Sequence, residues 1–391
     1  MGFLNGRVTF TRYRVSGSSP LPFADDLLAL AVQHAAGRHG SADPTDGVST
    51  GWSGGDHVLD LTFDLAKNVV NDALHFAIRI DTDKIPGSLL KAYTQIETEA
   101  RAKLNPSGHP TKAQRQEAKE AARLRAEAEA GDGRFRRLNH YPVLWDGQTG
   151  VLYAGTTSTT VLERLGTLFR ETFDRNLEPI TAGSLATSLA GPDAGDRNQE
   201  RLAEGILSFF GGEQSGLSTV TWAENALNML DHLGNEFLVW LWHALLNDSD
   251  TVQLADGSEV AVMLTKTLTL DCPRGETGRD NLTDDAPTRL PEAFRALQSG
   301  KLPRKAGLIL MRHGAQYELT LQAETLAVSG ALIPKPEDEK LAANEVRVAR
   351  IDSLRHLTET LDLLFDAYRR RRAGSEWSQE VSRIRRWLTA A

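Results

Sequence analysis

Polar and hydrophobic positions change period several times along this chain, and those changes divide it into elements. Arg7–Val15 (RVTFTRYRV) alternates and carries the β-branched and aromatic residues of a strand. Pro22 then opens PFADDLLALAVQHAAG, a predicted helix in which Asp25 and Asp26 suit the positive N-terminal end of the dipole and Gly37 stands where a C-terminal cap is expected. Two strand-like runs follow, His57–Leu65 (HVLDLTFDL) and Ala73–Asp81 (ALHFAIRID), with Asn71-Asp72 as the turn before the second. Together these form a small α+β unit over residues 1–85.

The pattern then shifts. Pro86–Ala130 is rich in Ala, Glu, Lys and Arg and is interrupted by NPSGHP at Asn105–Pro110, which predicts a helical hairpin. Its second arm holds few large apolar residues beyond Leu124, too few for a wide buried face, so it is expected to project into solvent as a finger, to pack on its partner arm or to be only partly ordered, with residues 86–131 forming the tip. After GDG at Gly131–Gly133, YPVLWDGQTGVLYAG reads as a hairpin turning at Gly147–Gly150. Ser158–Phe173 reads as a helix with Val161, Leu162, Leu165, Leu168 and Phe169 on one face. A polar loop at Ala190–Asn198, an apolar helical region at Trp222–Asn247, a two-strand turn at Asp256-Gly257 and a polar loop at Pro273–Thr288 follow. Past the break IPKP at Ile333–Pro336, Glu337–Arg372 is a helix striped by Leu354, Leu357, Leu361 and Leu364. No internal repeat is evident. The expected organisation is the N-terminal unit, the arm, a central α+β region at 132–330 and a C-terminal helical region at 331–391. The fold class expected is α+β, with antiparallel sheets, packed helices and a projecting helical hairpin.

Composition narrows the class of protein. With 391 residues, 40% of them hydrophobic and 25% charged, the chain can build a sizeable core. The single cysteine, Cys272, forbids an internal disulfide and any multi-cysteine metal centre, and without a histidine partner it reads as an inert thiol. The start MGFLNGRVTF has neither the basic opening nor the apolar run of a secretory signal, and the most apolar stretch, Phe237–Leu246, is too short to cross a bilayer. The expectation is a cytoplasmic protein without a membrane partner.

The tripeptide Arg312-His313-Gly314 raises the possibility of a phosphohydrolase, because histidine phosphatases mount their nucleophile on that motif. Such chemistry needs further arginines, a second histidine and an acid around the phosphate. Only His356 lies downstream, and Tyr317, Leu319 and Leu321 alternate with polar residues, so His313-Gly314 reads better as the turn of a hairpin joining GLILM to YELTL. Other candidates are weaker. His34 and His39 are spaced off any shared helical face, and Asp60 and Asp64 read as a solvated strand face. The chain has neither a P-loop nor a Gly-x-Gly-x-x-Gly after a strand. No catalytic residue, metal or cofactor is expected.

A net charge of −8 argues against nucleic acid unless basic residues are gathered locally. They are gathered at Arg134-Phe135-Arg136-Arg137, three guanidiniums around one aromatic ring between the arm and the hairpin. Smaller basic groups occur at Arg304-Lys305, at Arg369–Arg372 and at Arg383, Arg385 and Arg386 beside Trp387. Read without any relative, the same residues also suit a rim of arginines around a core ring, or a helical protein-interaction scaffold.

The segment Leu89–Ile180 resembles the bacterial recombination-associated protein RdgC family. The order is similar: a charged helical pair, the basic-aromatic RFRR, the hairpin PVLWDGQTGVLYAG, the helix TTVLERLGTLFRETF, and LEPI. Looser similarity lies in LPEAFRALQSGKLPRKAGLIL at Leu290–Leu310 and in FLNGRVTFTRYRV near the start, so the resemblance covers about half the chain. It implies a ring-shaped homodimer without enzymatic activity that binds duplex and single-stranded DNA with little sequence preference. The family restrains RecA-driven recombination and associates with the nucleoid. Its functional phenylalanine falls on Phe135, flanked by Arg134, Arg136 and Arg137, and a family lysine has its nearest basic counterpart in Arg279. Arg304 and Lys305 complete the DNA-binding set expected here. Trp222–Asn247 and the C-terminal helices depart from the family pattern, which would make this a larger and distant member.

Overall fold

The computed structural model describes residues 2–18, 20–37, 47–131, 133–191, 202, 230–272, 278–336 and 341–390. In chain order the first half comprises β1 (Val8–Val15), α1 (Asp25–Gln33), β2 (Val48–Ser53), the short α2 (Leu65–Asn68), β3 (Val69–Val70) and β4 (Ala73–Asp83). Next come the arm helices α3 (Gly87–Ala102) and α4 (Lys112–Ala130), then β5 (Arg136–Asp146), β6 (Val151–Ala154), α5 (Thr159–Phe173), β7 (Leu177–Pro179) and α6 (Ala182–Ala190). The second half comprises α7 (His232–Asn247), β8 (Thr251–Gln253), β9 (Glu259–Asp271), β10 (Asp280–Asp284) and a 3-10 turn (Pro287–Arg289). It continues with α8 (Pro291–Gln298), β11 (Leu302–Arg312), β12 (Ala315–Gln322), β13 (Val328–Leu332), α9 (Ala343–Ala373) and α10 (Trp377–Ala390).

Among the described residues thirteen strands form one sheet in the order β10-β9-β11-β12-β13-β1-β6-β5-β4-β2, with β3 beside β4, β7 beside β1 and β8 beside β9. Every pairing is antiparallel, so the expected α+β class holds with a single large sheet. β1 joins two halves. Val8 and Phe10 pair with Ala331 and Val328 of β13, whereas Thr11–Arg14 pair with Ala154–Val151 of β6. The halves share a plan that sequence periodicity conceals: a long strand, an excursion, its antiparallel partner, and a tight hairpin to a third strand. β4, the helical arm, β5 and β6 follow it in one half, and β9, the 272–301 excursion, β11 and β12 in the other.

Two cores lie against this sheet, and the second takes in Val70, Ala73, Leu144 and Tyr153 of the first half together with the strands of the second half. α1 and α5 cover one face of the first half, where Trp52, Phe76, Trp145, Phe169 and Phe173 pack in tilted pairs, with Trp145 and Phe169 edge to face and centred 5.2 Å apart. The second core lies under α6–α10. In α7 a glycine is obligatory, because a Cβ on Gly234 would stand 1.8 Å from the Ala323 carbonyl oxygen. α9 crosses the junction of the halves and buries Leu354, Leu357, Leu361 and Leu364, the expected stripe. Ion pairs fix its register on three strands: Asp362 with Arg12 of β1 at 2.7 Å, Arg355 with Asp146 of β5 at 2.8 Å, and Glu359 with Arg312 of β11 at 2.9 Å.

Three sequence expectations are corrected. His57–Leu65 is not a strand: residues 57–64 form a loop and Leu65 opens α2, the Asp60 carboxylate accepts from the backbone N–H groups of Asp56 and Thr62, and Asp64 caps α2, so local side-chain bonds replace a ladder. Leu59 and Leu61 are left exposed, and Asp60 and Asp64 form no strand face. α1 ends at Gln33 with His34 as its cap, four residues before Gly37, which adopts a left-handed φ of 80° in the following turn. In the supposed loop Pro273–Thr288, Asp280–Asp284 form the edge strand β10, whose polar sequence suits an edge and gives no hydrophobic signal. The strand β2 lies in a stretch left unassigned from sequence. Residues 192–198 of one predicted loop, 222–229 of the apolar region, 273–277 and 337–340 lie outside the described residues, as does His39.

His75, buried on β4, gives the fold a pH signature. Burial, with the nearby Arg347 and Lys67 charges, lowers its pKa from 6.5 to about 4. The unfolded chain therefore takes up this proton below about pH 6.5 while the folded form stays neutral, so stability is complete above that pH and falls as pH drops through about 4. Urea unfolding at pH 7 and pH 4.5 should show a loss of up to about 3 kcal/mol from this residue, and the His75→Gln variant should show a correspondingly smaller loss.

Candidate nucleic-acid interface

The arm explains where the basic cluster sits. Thr111 caps α4 through Gln114 in a reciprocal box, and Ala118, Ala122 and Ala126 form a small-residue stripe that lets α4 lie closely on α3. Tyr93 donates its hydroxyl proton to Glu129 at 2.8 Å and lies under the Arg125 guanidinium at 4.2 Å. Thus the hairpin holds itself together largely by its own contacts. Its outer surface keeps Ile96, Leu104 and Leu124 exposed, and a groove of about 770 Å³ runs beside Leu90, Thr94, Thr98, Lys119 and Arg123.

Where the arm returns to the sheet, Gly133 takes a φ of 76°, and Arg134 and Phe135 occupy the turn before β5. Phe135 is half-buried, while Arg134, Arg136 and Arg137 are exposed. The strand period separates the last two, with Arg136 opposite Asp83 and Arg137 opposite Thr82. Arg136 donates to the Asp83 carboxylate at 3.0 Å, which strengthens its hold on its proton, and Arg134 lies 3.7 Å from Glu129. Arg137 faces an uncharged neighbour.

The second basic group belongs to the other half of the sheet. Arg279 and Arg304 share Asp271 at 2.9 and 3.7 Å, Arg304 also meets Glu324, and exposed Lys305 has the uncharged Gln322 and Thr269 as cross-strand neighbours. The structure does not bring the two groups together in one chain. Four strands separate β5 from β11, roughly 24 Å of sheet, and the antiparallel succession sets their first residues at opposite ends. Two basic residues that sequence reading passed over join the second group. Lys266 and Arg7 contact Glu318 at 2.7 and 3.2 Å, on the same face of β12 as Gln322. Their carboxylate partners lie far away in sequence, so no local pattern announces them.

His313 is at the exposed tip of the β11–β12 hairpin, with φ of 49° at His313 and 78° at Gly314, the two left-handed residues of a type I′ turn. The hairpin expected from the alternating pattern is therefore present. Arg312 turns inward to Asp256, Glu359 and Ser258, its charge occupied by carboxylates. His356 lies with its ring centre 5.7 Å from that of His313 and its Nδ1 bonded to the Tyr317 hydroxyl at 2.8 Å. The exposed turn, with its arginine held by acids, contrasts with the arginine-rich pocket a phosphohistidine would need.

No protein-family model matches the chain, and no curated protein matches it. Among the described residues no helix is long and apolar enough to cross a membrane. The remaining basic clusters expected from sequence serve structural ends. Arg369 and Arg370 bond Asp366, Arg372 is buried against Glu236, and Arg383 meets Glu380.

Proposed function

We propose that this protein is a sequence-nonspecific DNA-binding clamp related to the RdgC proteins, working as a homodimer that closes around duplex or single-stranded DNA and restrains RecA-type recombination. The observation that carries the reading is Arg134-Phe135-Arg136-Arg137, which runs from the turn at the root of a helical arm into β5 and carries an exposed arginine with an uncharged cross-strand neighbour. A band with one excursion at each end suits closure by a second copy, and basic groups near both ends would then line the enclosed space. Asp83, Glu129 and Asp271 must yield their arginines to phosphates on binding, which tempers affinity and favours contacts that slide. The reading includes a nucleoid-associated location and no enzymatic step.

A second reading, a protein-interaction scaffold, is favoured by the exposed Ile96, Leu104 and Leu124 on the arm. Replacing residues 87–131 by a Gly-Ser linker retains Phe135 and separates the two. The clamp predicts loss of the dimer in sedimentation or loss of duplex retention. An unchanged dimer with unchanged DNA binding would rule out the clamp's use of the arm.

A further inference from the structure

We propose that His243, Asp248 and Glu380 form a site for a divalent transition-metal ion of the zinc class, which pins the C-terminal helix α10 to α7. His243 lies near the end of α7, Asp248 is the residue that caps that helix, and Glu380 is in the first turn of α10. One ligand atom from each lies within 4.8 Å of the others. An imidazole and two carboxylates are the donors that such an ion takes up, with a further position left for water.

A second observation singles this cluster out. His243 and Glu380 are both more than nine-tenths buried, yet His243 Nδ1 and Glu380 Oε1 have no hydrogen-bond partner among the described residues and face each other at 3.9 Å. That separation is too long for a hydrogen bond, and leaving two buried polar atoms unbonded is costly. Metal bonds of about 2.0–2.2 Å set two ligand atoms roughly 3–3.5 Å apart, so a small side-chain rotation closes the set. The Trp387 ring, 5.3 Å away, packs edge to face against the imidazole. A cleft of about 400 Å³ beside Glu380, Trp377 and Arg383 gives access from solvent.

Arg383 is the cation these carboxylates share without a metal, bonded to Glu380 and 3.9 Å from Asp248. It is half-exposed. The site draws on residues more than 130 positions apart, and that distance hides it from motif reading.

The test is calorimetric titration of the full-length protein, stripped with EDTA, with Zn²⁺, alongside thermal unfolding with and without the ion. His243 and Glu380 are buried and their variants risk misfolding, so exposed Asp248 and Arg383 carry the experiment. Wild type should bind one ion and unfold at a higher temperature with it. Asp248→Asn should bind at least about tenfold more weakly, and Arg383→Ala should bind equally well or more tightly because the competing cation is gone. The assignment is overturned if wild type shows no saturable binding, if Asp248→Asn matches wild type, or if Arg383→Ala binds more weakly.

Discussion

Under the clamp reading, alanine at position 135 is expected to lower affinity for an unrelated DNA duplex by about tenfold, the scale of one lost stacking or wedging contact. Arg137→Ala acts differently. If Arg137 contacts a phosphate, its loss should weaken binding uniformly across sequences and reduce the slope of log affinity against log salt by about 1. Phe135 is half-buried in a turn, so Phe135→Ala should leave thermal unfolding little changed, and Phe135→Tyr, which keeps the ring, should bind nearly as wild type. Fluorescence anisotropy across a salt series reads both effects. If Phe135→Ala folds normally and binds as tightly as wild type, the ring has no part in DNA contact.

The largest effect on stability is expected at Glu236. Its carboxylate is fully buried in α7, bonds Arg372 of α9, itself 1% exposed, and accepts the Tyr368 hydroxyl proton at 3.0 Å. Glu236→Ala removes the carboxylate that balances a buried guanidinium and should cost about 3–5 kcal/mol. Replacing both partners, Glu236→Met with Arg372→Met, removes the two charges together and should recover most of that loss. Urea unfolding of the two singles and the double forms the cycle. A double variant as unstable as the sum of its singles would mean that the pair is not coupled. The pair also accounts for the basic end of α9: Arg372 serves the core, and Arg369 and Arg370 serve Asp366.

Legibility in the sequence followed the physics of each element. The arm, the β5–β6 hairpin, α5 and the leucine stripe of α9 were readable because each is amphipathic or turn-coded over a short window. His57–Leu65 misled because Asp60 and Asp64 bond backbone locally, a contest that hydropathy does not register. β10 escaped notice because an edge strand of DNLTD buries little. For the interface, the basic-aromatic cluster was visible as four consecutive residues. Its pairing with Asp83 and Glu129, the joining of Arg279 and Arg304 through Asp271, and the contribution of Arg7 and Lys266 all depend on strand register, which joins residues up to 311 positions apart. The division of the sheet into two similarly connected halves was hidden for the same reason: topology repeats there while sequence does not.

The most direct measurement is binding of the wild-type protein to a labelled duplex of arbitrary sequence from low to moderate salt. If the six basic residues Arg134, Arg136, Arg137, Arg279, Arg304 and Lys305 all engage phosphates, log affinity should fall against log salt with a slope of about −5 for each protomer in contact, and changing the sequence should leave the curve in place. Absence of binding at about 50 mM salt, or binding indifferent to salt, would contradict the clamp.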